Sequence, residues 1–138
     1  MANAIPFALI TPRAVKFDGE AELVIAVGTE GEVGILPSHA PYLTALRPGV
    51  LRANVRDGAG TRRLELACGE GFLQALPGKM TILADAALAG DEIDIAQARA
   101  DLQAGQDEQR SAGADLAAWR RAQTKIDFAN ARLTVAGV

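Results

Sequence analysis

One histidine, one cysteine, one tryptophan and one tyrosine are all that 138 residues supply of the side chains most often recruited for catalysis, metal binding and ring stacking. With Cys68 alone there is no internal disulfide and no cysteine-rich metal site, and its place between Ala67 and Gly69 in a strand-like run reads as a small buried apolar residue. His39 stands in Pro37-Ser38-His39-Ala40-Pro41 without any nucleophile-elbow pattern to accompany it. Its simplest reading is a loop histidine contributing shape or one hydrogen bond. No window approaches the roughly 20 consecutive apolar residues of a membrane-spanning helix. The start, Met1-Ala2-Asn3-Ala4-Ile5-Pro6-Phe7, lacks a basic flank before a long apolar run, so the product is expected to stay where it is made. The formal net charge of −3 offers no basic footprint for nucleic acid. Aromatics make up only 4% of a chain that is 49% hydrophobic, so its core must be built from Val, Ile, Leu and Ala.

What is present falls into two parts with different periods. Residues 1–85 read as short alternating segments broken by Gly, Pro and Asp, the pattern of an all-β sandwich. Leu23, Ile25 and Val27 are expected on the buried face of one strand, Leu51, Ala53 and Val55 on the next, then Leu64, Leu66 and Cys68, then Met80 and Ile82. Asp57-Gly58-Ala59-Gly60 and Pro77-Gly78 supply hairpin turns, which makes the pairing mostly antiparallel.

Residues 86–138 read as a helical hairpin. Asp94 with Gln97 opens the first helix, and Gly105 to Gly113 marks a break before the second. Leu116, Trp119, Ala122, Ile126, Ala129 and Leu133 form one stripe on the second helix; Ala96, Ala100 and Leu102 offer a small-residue surface on the first. So little apolar surface predicts a hairpin able to detach. From residue 115 onward Arg120, Arg121, Lys125 and Arg132 outnumber Asp115 and Asp127, leaving the last helix net basic and suited to an acidic partner or to a solvated face.

The most glycine-dense stretch, Gly28-Thr29-Glu30-Gly31-Glu32-Val33-Gly34, lacks both the dinucleotide-binding spacing and the Gly-Lys-Ser/Thr ending of a phosphate loop, and its two glutamates repel phosphate. It reads as an exposed turn with an acidic tip fit for docking. Asp91, Glu92 and Asp94 lack the spacing of a calcium loop and read as a capped helix start. Neither a metal nor a cofactor is expected.

The stretch Val27-Gly28-Thr29-Glu30-Gly31-Glu32-Val33-Gly34-Ile35-Leu36-Pro37-Ser38-His39-Ala40-Pro41-Tyr42-Leu43 and its continuation to Val50 closely resembles the core motif of the F-type ATP synthase epsilon family. Gly69-Glu70-Gly71-Phe72-Leu73, Thr81-Ile82-Leu83-Ala84-Asp85 and Ala131-Arg132-Leu133-Thr134-Val135-Ala136 fall where that family has matching segments. The resemblance covers almost the whole chain. It implies a β-sandwich of about ten strands followed by a two-helix antiparallel hairpin, in a non-catalytic central-stalk subunit on the cytoplasmic face of the bacterial inner membrane. It further implies a sandwich that clasps the gamma subunit and rests on the c-ring, coupling proton flow to ATP synthesis. The hairpin would reach the alpha and beta subunits and inhibit hydrolysis.

Residue by residue, Glu30 and Glu32 match the family's ring-facing loop, Glu32 being the leading contact candidate and His39 the next. Arg120, Arg121, Lys125 and Arg132 fit its inhibitory helix. The nucleotide motif of some members, Ile/Leu-Asp-x-x-Arg-Ala, here reads Ile93-Asp94-Ile95-Ala96-Gln97-Ala98. Asp94 and Arg132 are retained, but Gln97 replaces an arginine and Phe128 stands where another is expected. Glutamine has no charged bidentate fork for phosphate, which argues against ATP binding. Arg99 lies on the wrong side of the helix to substitute, and Phe128 is expected to point away from the stripe. Two other readings stay open on sequence grounds: a free-standing β-sandwich binding module that dimerises through its hairpin, and a hydrolase built around His39. The single Trp and Tyr are few for sugar stacking.

Overall fold

The computed structural model describes residues 4–37, 39–58 and 60–138. Met1, Ala2 and Asn3 of the amino-terminal reading, Ser38 of the His39 loop and Ala59 of the first hairpin turn lie outside the described residues. Among the described residues nine strands precede two helices: β1 (Ile5–Ile10), β2 (Val15–Gly28), β3 (Gly31–Ile35), β4 (Tyr42–Leu46), β5 (Gly49–Asp57), β6 (Gly60–Cys68), β7 (Gly71–Leu76), β8 (Lys79–Ala84), β9 (Ala87–Leu88), α1 (Ile95–Ser111) and α2 (Leu116–Ala136).

The strands run in the order β1-β8-β7-β4-β2-β5-β6-β9, with β3 attached to β2 and β1 returning to pair with β2. β1, β8, β7, β4 and β2 therefore form a closed circuit of hydrogen-bonded neighbours. Only β1 and β8 pair in parallel; the other pairings are antiparallel, as the turn chemistry predicts. Pro77-Gly78 joins β7 to β8 with Leu76 opposite Lys79, and Asp57 pairs with Gly60 across the other tight hairpin. The circuit encloses one core, in which Phe7, Leu9, Val24, Leu51, Val55, Leu73, Met80 and Ile82 are fully buried. Phe17 on β2 adds a ring 5.6 Å from that of Phe7.

Leu51, Ala53, Val55, Leu66, Cys68, Met80 and Ile82 face inward as alternation predicts, with Leu64 packed against the core's edge. β2 does not follow its prediction. Ala21, Val24 and Ala26 fill the core, while Leu23, Ile25 and Val27 are half-buried on the opposite face. The pairing of β2 with β5 shifts register between Ala21 and Leu23. An extra residue there reverses the side chains that follow, and a strand apolar on both parities gives alternation nothing to choose between.

Asp94 caps α1 by accepting a 3.0 Å hydrogen bond from the Gln97 amide, as its spacing predicts. The expected break at Gly105 is absent. α1 continues to Ser111, and the turn lies at residues 112–115, where Asp115 caps α2 through the Ala118 amide at 3.1 Å. Gly105 instead sits buried where the helices meet: a methyl group there would lie 2.9 Å from Ile126 Cγ1. Its lost helix propensity, about 1 kcal/mol, is the cost of that close approach.

The buried face of α1 carries Ala98 and Gly105, with Leu102 half-buried; Ala96 and Ala100 are exposed, contrary to expectation. On α2 the middle of the predicted stripe is buried at Ala122, Ile126 and Ala129, whereas Leu116 and Trp119 are exposed. The cross-helix hydrogen bonds Asp101 to Arg132 and Gln109 to Gln123 set the register. On it, Leu116 and Trp119 fall opposite the turn, where α1 has ended.

β9 extends the sheet beyond residue 85, pairing with β6 at Ala67 and Cys68. A 3-10 turn, Gly90–Glu92, then leads into the hairpin, and α2 lies over β5 and β6. Ala67, fully buried yet outside the sandwich core, is on the outer face that α2 covers.

Candidate functional site

Three surfaces bring the candidate residues together or keep them apart. The acidic turn is the end of the β2–β3 hairpin, in which Gly28 pairs with Gly31 across Thr29 and Glu30. Gly31 adopts φ +134°, a conformation L side chains rarely take, which lets the chain reverse in two residues. The turn is held against β4 by Thr29 N–H donating to Ala45 O (3.3 Å) and Arg47 N–H donating to Val27 O (3.1 Å). Glu30 is exposed at the tip. Glu32, also exposed, accepts a hydrogen bond from the Arg52 guanidinium of β5. Glu30, Glu32, Tyr42 and Thr44 share a polar cleft of about 380 Å³, shaped to take a basic or hydrogen-bonding group.

His39 is half-buried beyond β3, and no hydrogen bond joins it to Glu30 or Glu32 among the described residues. Its amide donates to Leu36 O, and Nδ1–H donates to Ala40 O at 2.7 Å, which leaves Nε2 as the acceptor nitrogen. That nitrogen is buried and has no hydrogen-bond partner among the described residues.

A second surface escaped the sequence reading. The outer face of β4, β7 and β8 carries no helix. A row of cross-strand neighbours runs over it, Ala45 beside Phe72, Phe72 beside Leu83 and Leu83 beside Ile10. Phe72 is 57% exposed and Leu83 51%, with Leu43 and Leu76 exposed nearby. Such a contiguous apolar strip marks a protein contact more often than chance exposure. Phe72-Leu73 and Ile82-Leu83 were the available signal, since strands apolar on both parities have two covered faces.

The hairpin keeps its polar residues to itself. Arg132, with 10% of its side chain exposed, donates from Nη2 to Asp101 Oδ2 (2.9 Å) and from Nε to Phe128 O (3.3 Å), and its guanidinium lies 4.6 Å from the Phe128 ring centre. Gln97 donates to the other Asp101 oxygen at 2.8 Å. Burial alone would raise the Asp101 carboxyl, but the hydrogen bonds from Gln97 and Arg132, with the charges of Arg132 and Lys125, hold it below its ordinary value. The residues of the departed nucleotide motif thus meet, but as a satisfied internal cluster whose one guanidinium is already paired. Phe128, expected to point away, is half-buried in a cleft of about 440 Å³ between α2 and the sandwich, where Arg121 and Lys125 face Glu70 and Asp85.

The four basic candidates do not form one patch. Arg132 is internal, Lys125 pairs with Glu108 at 2.7 Å, and Arg120 and Arg121 are exposed. Glu92 accepts from the Ala89 amide and from Lys16 Nζ, both at 2.9 Å, which lowers its pKa, the backbone bond contributing most. Cys68, at the end of β6, is buried in the core, its thiol pushed up to about 12 by desolvation and then by the Asp85 charge.

The family described as ATP synthase, Delta/Epsilon chain, beta-sandwich domain matches residues 4–90. A protein of Moorella thermoacetica named ATP synthase epsilon chain is 40% identical over 131 residues, 94% of this chain and 93% of its own length. One of the same name from Chromobacterium violaceum is 38% identical over 109 residues, 78% of this chain and 76% of its own. Among solved structures, a chain of the Euglena gracilis mitochondrial ATP synthase (OSCP/F1/c-ring) superposes with a TM-score of 0.75 at 19% identity, covering 96% of this chain and 81% of that one. A chain of the Tetrahymena thermophila mitochondrial ATP synthase central stalk and c-ring gives 0.63 at 17%, covering 97% of each. These two likenesses speak for the shared fold, and the family match and the bacterial relatives for descent: the chain belongs to the epsilon-chain family of the ATP synthases.

Proposed function

We propose that this protein is a non-catalytic rotor component of a bacterial ATP synthase, docking on the gamma subunit through its bare apolar sheet face and on the c-ring through its acidic turn. The row Ala45, Phe72, Leu83 and Ile10 carries this reading. It is flat and unpaired, and it lies on the sheet face that the hairpin leaves uncovered. A coiled-coil stalk laid across that row would bury Phe72 and Leu83 for about 1 kcal/mol each, given that half their surface is already covered. Glu30 and Glu32, at the end of the β2–β3 hairpin, present negative charge to basic loops of a ring.

A part that clasps one partner and touches another transmits torque without doing chemistry, so proton flow is coupled to ATP synthesis through its rigidity. The complex places it peripherally at the cytoplasmic face of the inner membrane. None of its helices is long and apolar enough to cross that membrane, among the described residues. The hairpin is the regulatory element: of its four basic candidates, Arg120 and Arg121 are the exposed ones, available for acidic surfaces of the alpha and beta subunits.

The test is ATP hydrolysis by the purified catalytic head with and without the protein, comparing the full chain with a form ending at Ala89. Binding of both forms to gamma with slowing only by the full chain supports clamp and brake together. Binding without slowing removes the brake and keeps the clamp. Failure of both to bind overturns the reading.

A further inference from the structure

We propose that the bare sheet face ends in a keyed socket: the gamma subunit seats one large apolar side chain in the cleft beside Leu83 and sets a lysine or arginine against the Glu70 and Asp85 carboxylates at its rim. The inference rests on the docking of that subunit to the row of Ala45, Phe72, Leu83 and Ile10 proposed above, and says what fixes its position there. A flat apolar strip holds a rod without choosing where along the strip it lies. Relief and charge at one end make the choice.

The relief is a cleft of about 360 Å³, walled by Ile10, Pro12, Gly71 and Leu83 and bordered by Glu70 and Asp85. Ile10 and Leu83 are cross-strand neighbours in the row, so cleft and row are one surface. Its walls are fixed in advance. Beyond β1 the chain turns at residues 11–14, where Thr11 N–H donates to Ala14 O at 2.9 Å and Ala14 N–H donates to Thr11 Oγ1 at 3.2 Å, holding Pro12 as one wall. Gly71 lets β7 close on β8, since a methyl group there would collide with Leu83 O. A socket formed before the partner arrives concentrates binding energy, because little ordering is left to do.

The same end carries paired carboxylates. Asp85 N–H donates to Glu70 O at 2.8 Å and Gly69 N–H donates to Ala86 O at 2.9 Å, which pins the two acidic residues side by side. Both are exposed, and the cleft's lining holds these two charges and no cation. Arg47 follows the end of β4, and Arg121 and Lys125 stand across the neighbouring cleft, but among the described residues none of them forms an ion pair with Glu70 or Asp85. Lys79, beside Leu76 at the opposite end of β8, carries the other sign. The face is therefore electrically polar along its strands, and a basic side chain about one helical turn from the apolar anchor orients the partner on it.

The test uses the purified catalytic head, freed of this protein but retaining its gamma subunit, and follows binding of the full chain at about 50 and about 300 mM salt. Glu70→Gln with Asp85→Asn is expected to slow association about three- to tenfold and to flatten its salt dependence, with dissociation little changed. Asp18→Asn with Asp91→Asn removes the same charge from exposed positions elsewhere and should do neither. Ile10→Trp adds apolar surface while filling the socket, and should speed dissociation at least about tenfold; a face that offers area alone would bind it as well as the parent or better. Should Ile10→Trp melt well below the parent by circular dichroism, the carboxylate pair alone decides. If Leu83→Glu abolishes capture while either socket variant binds as the parent does, the gamma subunit docks here without that key and the proposal is overturned. If Leu83→Glu also binds normally, the docking face lies elsewhere and both readings fall. Equal slowing by the two charge-removing pairs makes the effect one of net charge and likewise overturns the proposal.

Discussion

Replacing Arg132 by methionine removes the guanidinium and leaves Asp101 half-buried with Gln97 alone, so a loss of about 1–2 kcal/mol is expected, at the lower end for a buried pair because Asp101 retains some solvent. Thermal melts of Arg132→Met and Asp101→Asn, with the double variant, would give the coupling directly; an additive pair would show the contact to be ornamental. The sign of the pH dependence follows from Asp101 and Glu92, both held below their ordinary values in the folded chain. Their contribution is complete above the unfolded carboxylate pKa, about 4, and is lost as pH falls through the lower folded values. Acid titration followed by hairpin exchange is the check. Cys68 is expected to resist alkylation at pH 8 in the native chain and to react on denaturation, because a thiol raised to about 12 and shielded from solvent holds almost no accessible thiolate. Sequence named the members of the Asp94, Gln97, Phe128 and Arg132 set. It did not reveal Asp101, since one of several acidic residues on a helix carries no mark of the partner it meets across a turn.

At the scale of elements, the helix ends, the tight hairpins and the inward faces of β5, β6 and β8 were legible because caps, Gly-containing turns and single-parity alternation each act locally. β2 and Gly105 were not. The face of β2 depends on a register shift against β5, and the role of Gly105 depends on Ile126 in the returning helix, so both are facts of partnership. Gly105→Val should force the helices apart at Ile126, with a loss of about 1–3 kcal/mol and faster exchange in α1 and α2 while the sandwich amides hold. The apolar row left only a weak signal, the runs Phe72-Leu73 and Ile82-Leu83, which also read as ordinary strand interior. Leu83→Glu is expected to change the melting of the isolated chain by no more than about 0.5 kcal/mol, yet to weaken capture by a gamma subunit at least about tenfold, a desolvated carboxylate being costly in an apolar contact. Unchanged capture would move the docking face elsewhere.

At the scale of the whole molecule, the sheet continues past residue 85. β9 still belongs to the sheet, and its pairing with Ala67 and Cys68 covers the edge of β6. A truncation after Asp85 removes that cover and the buried Ala87, and is expected to be less soluble and to melt lower than one after Ala89, measured by light scattering and circular dichroism. Indistinguishable behaviour would show β9 to be dispensable.

The closed circuit of strands has a consequence for how the protein is made. β1 leaves the ribosome well before its parallel partner β8, with Phe7 opposite Met80. Until β8 has emerged, β1 has only its hairpin with β2, and the edge it will later share with β8 stays unsatisfied and open to strangers. Nascent chains halted before residue 79 should therefore remain protease-sensitive and prone to association, and resistance should appear in one step once β8 is free, with the helices still to emerge.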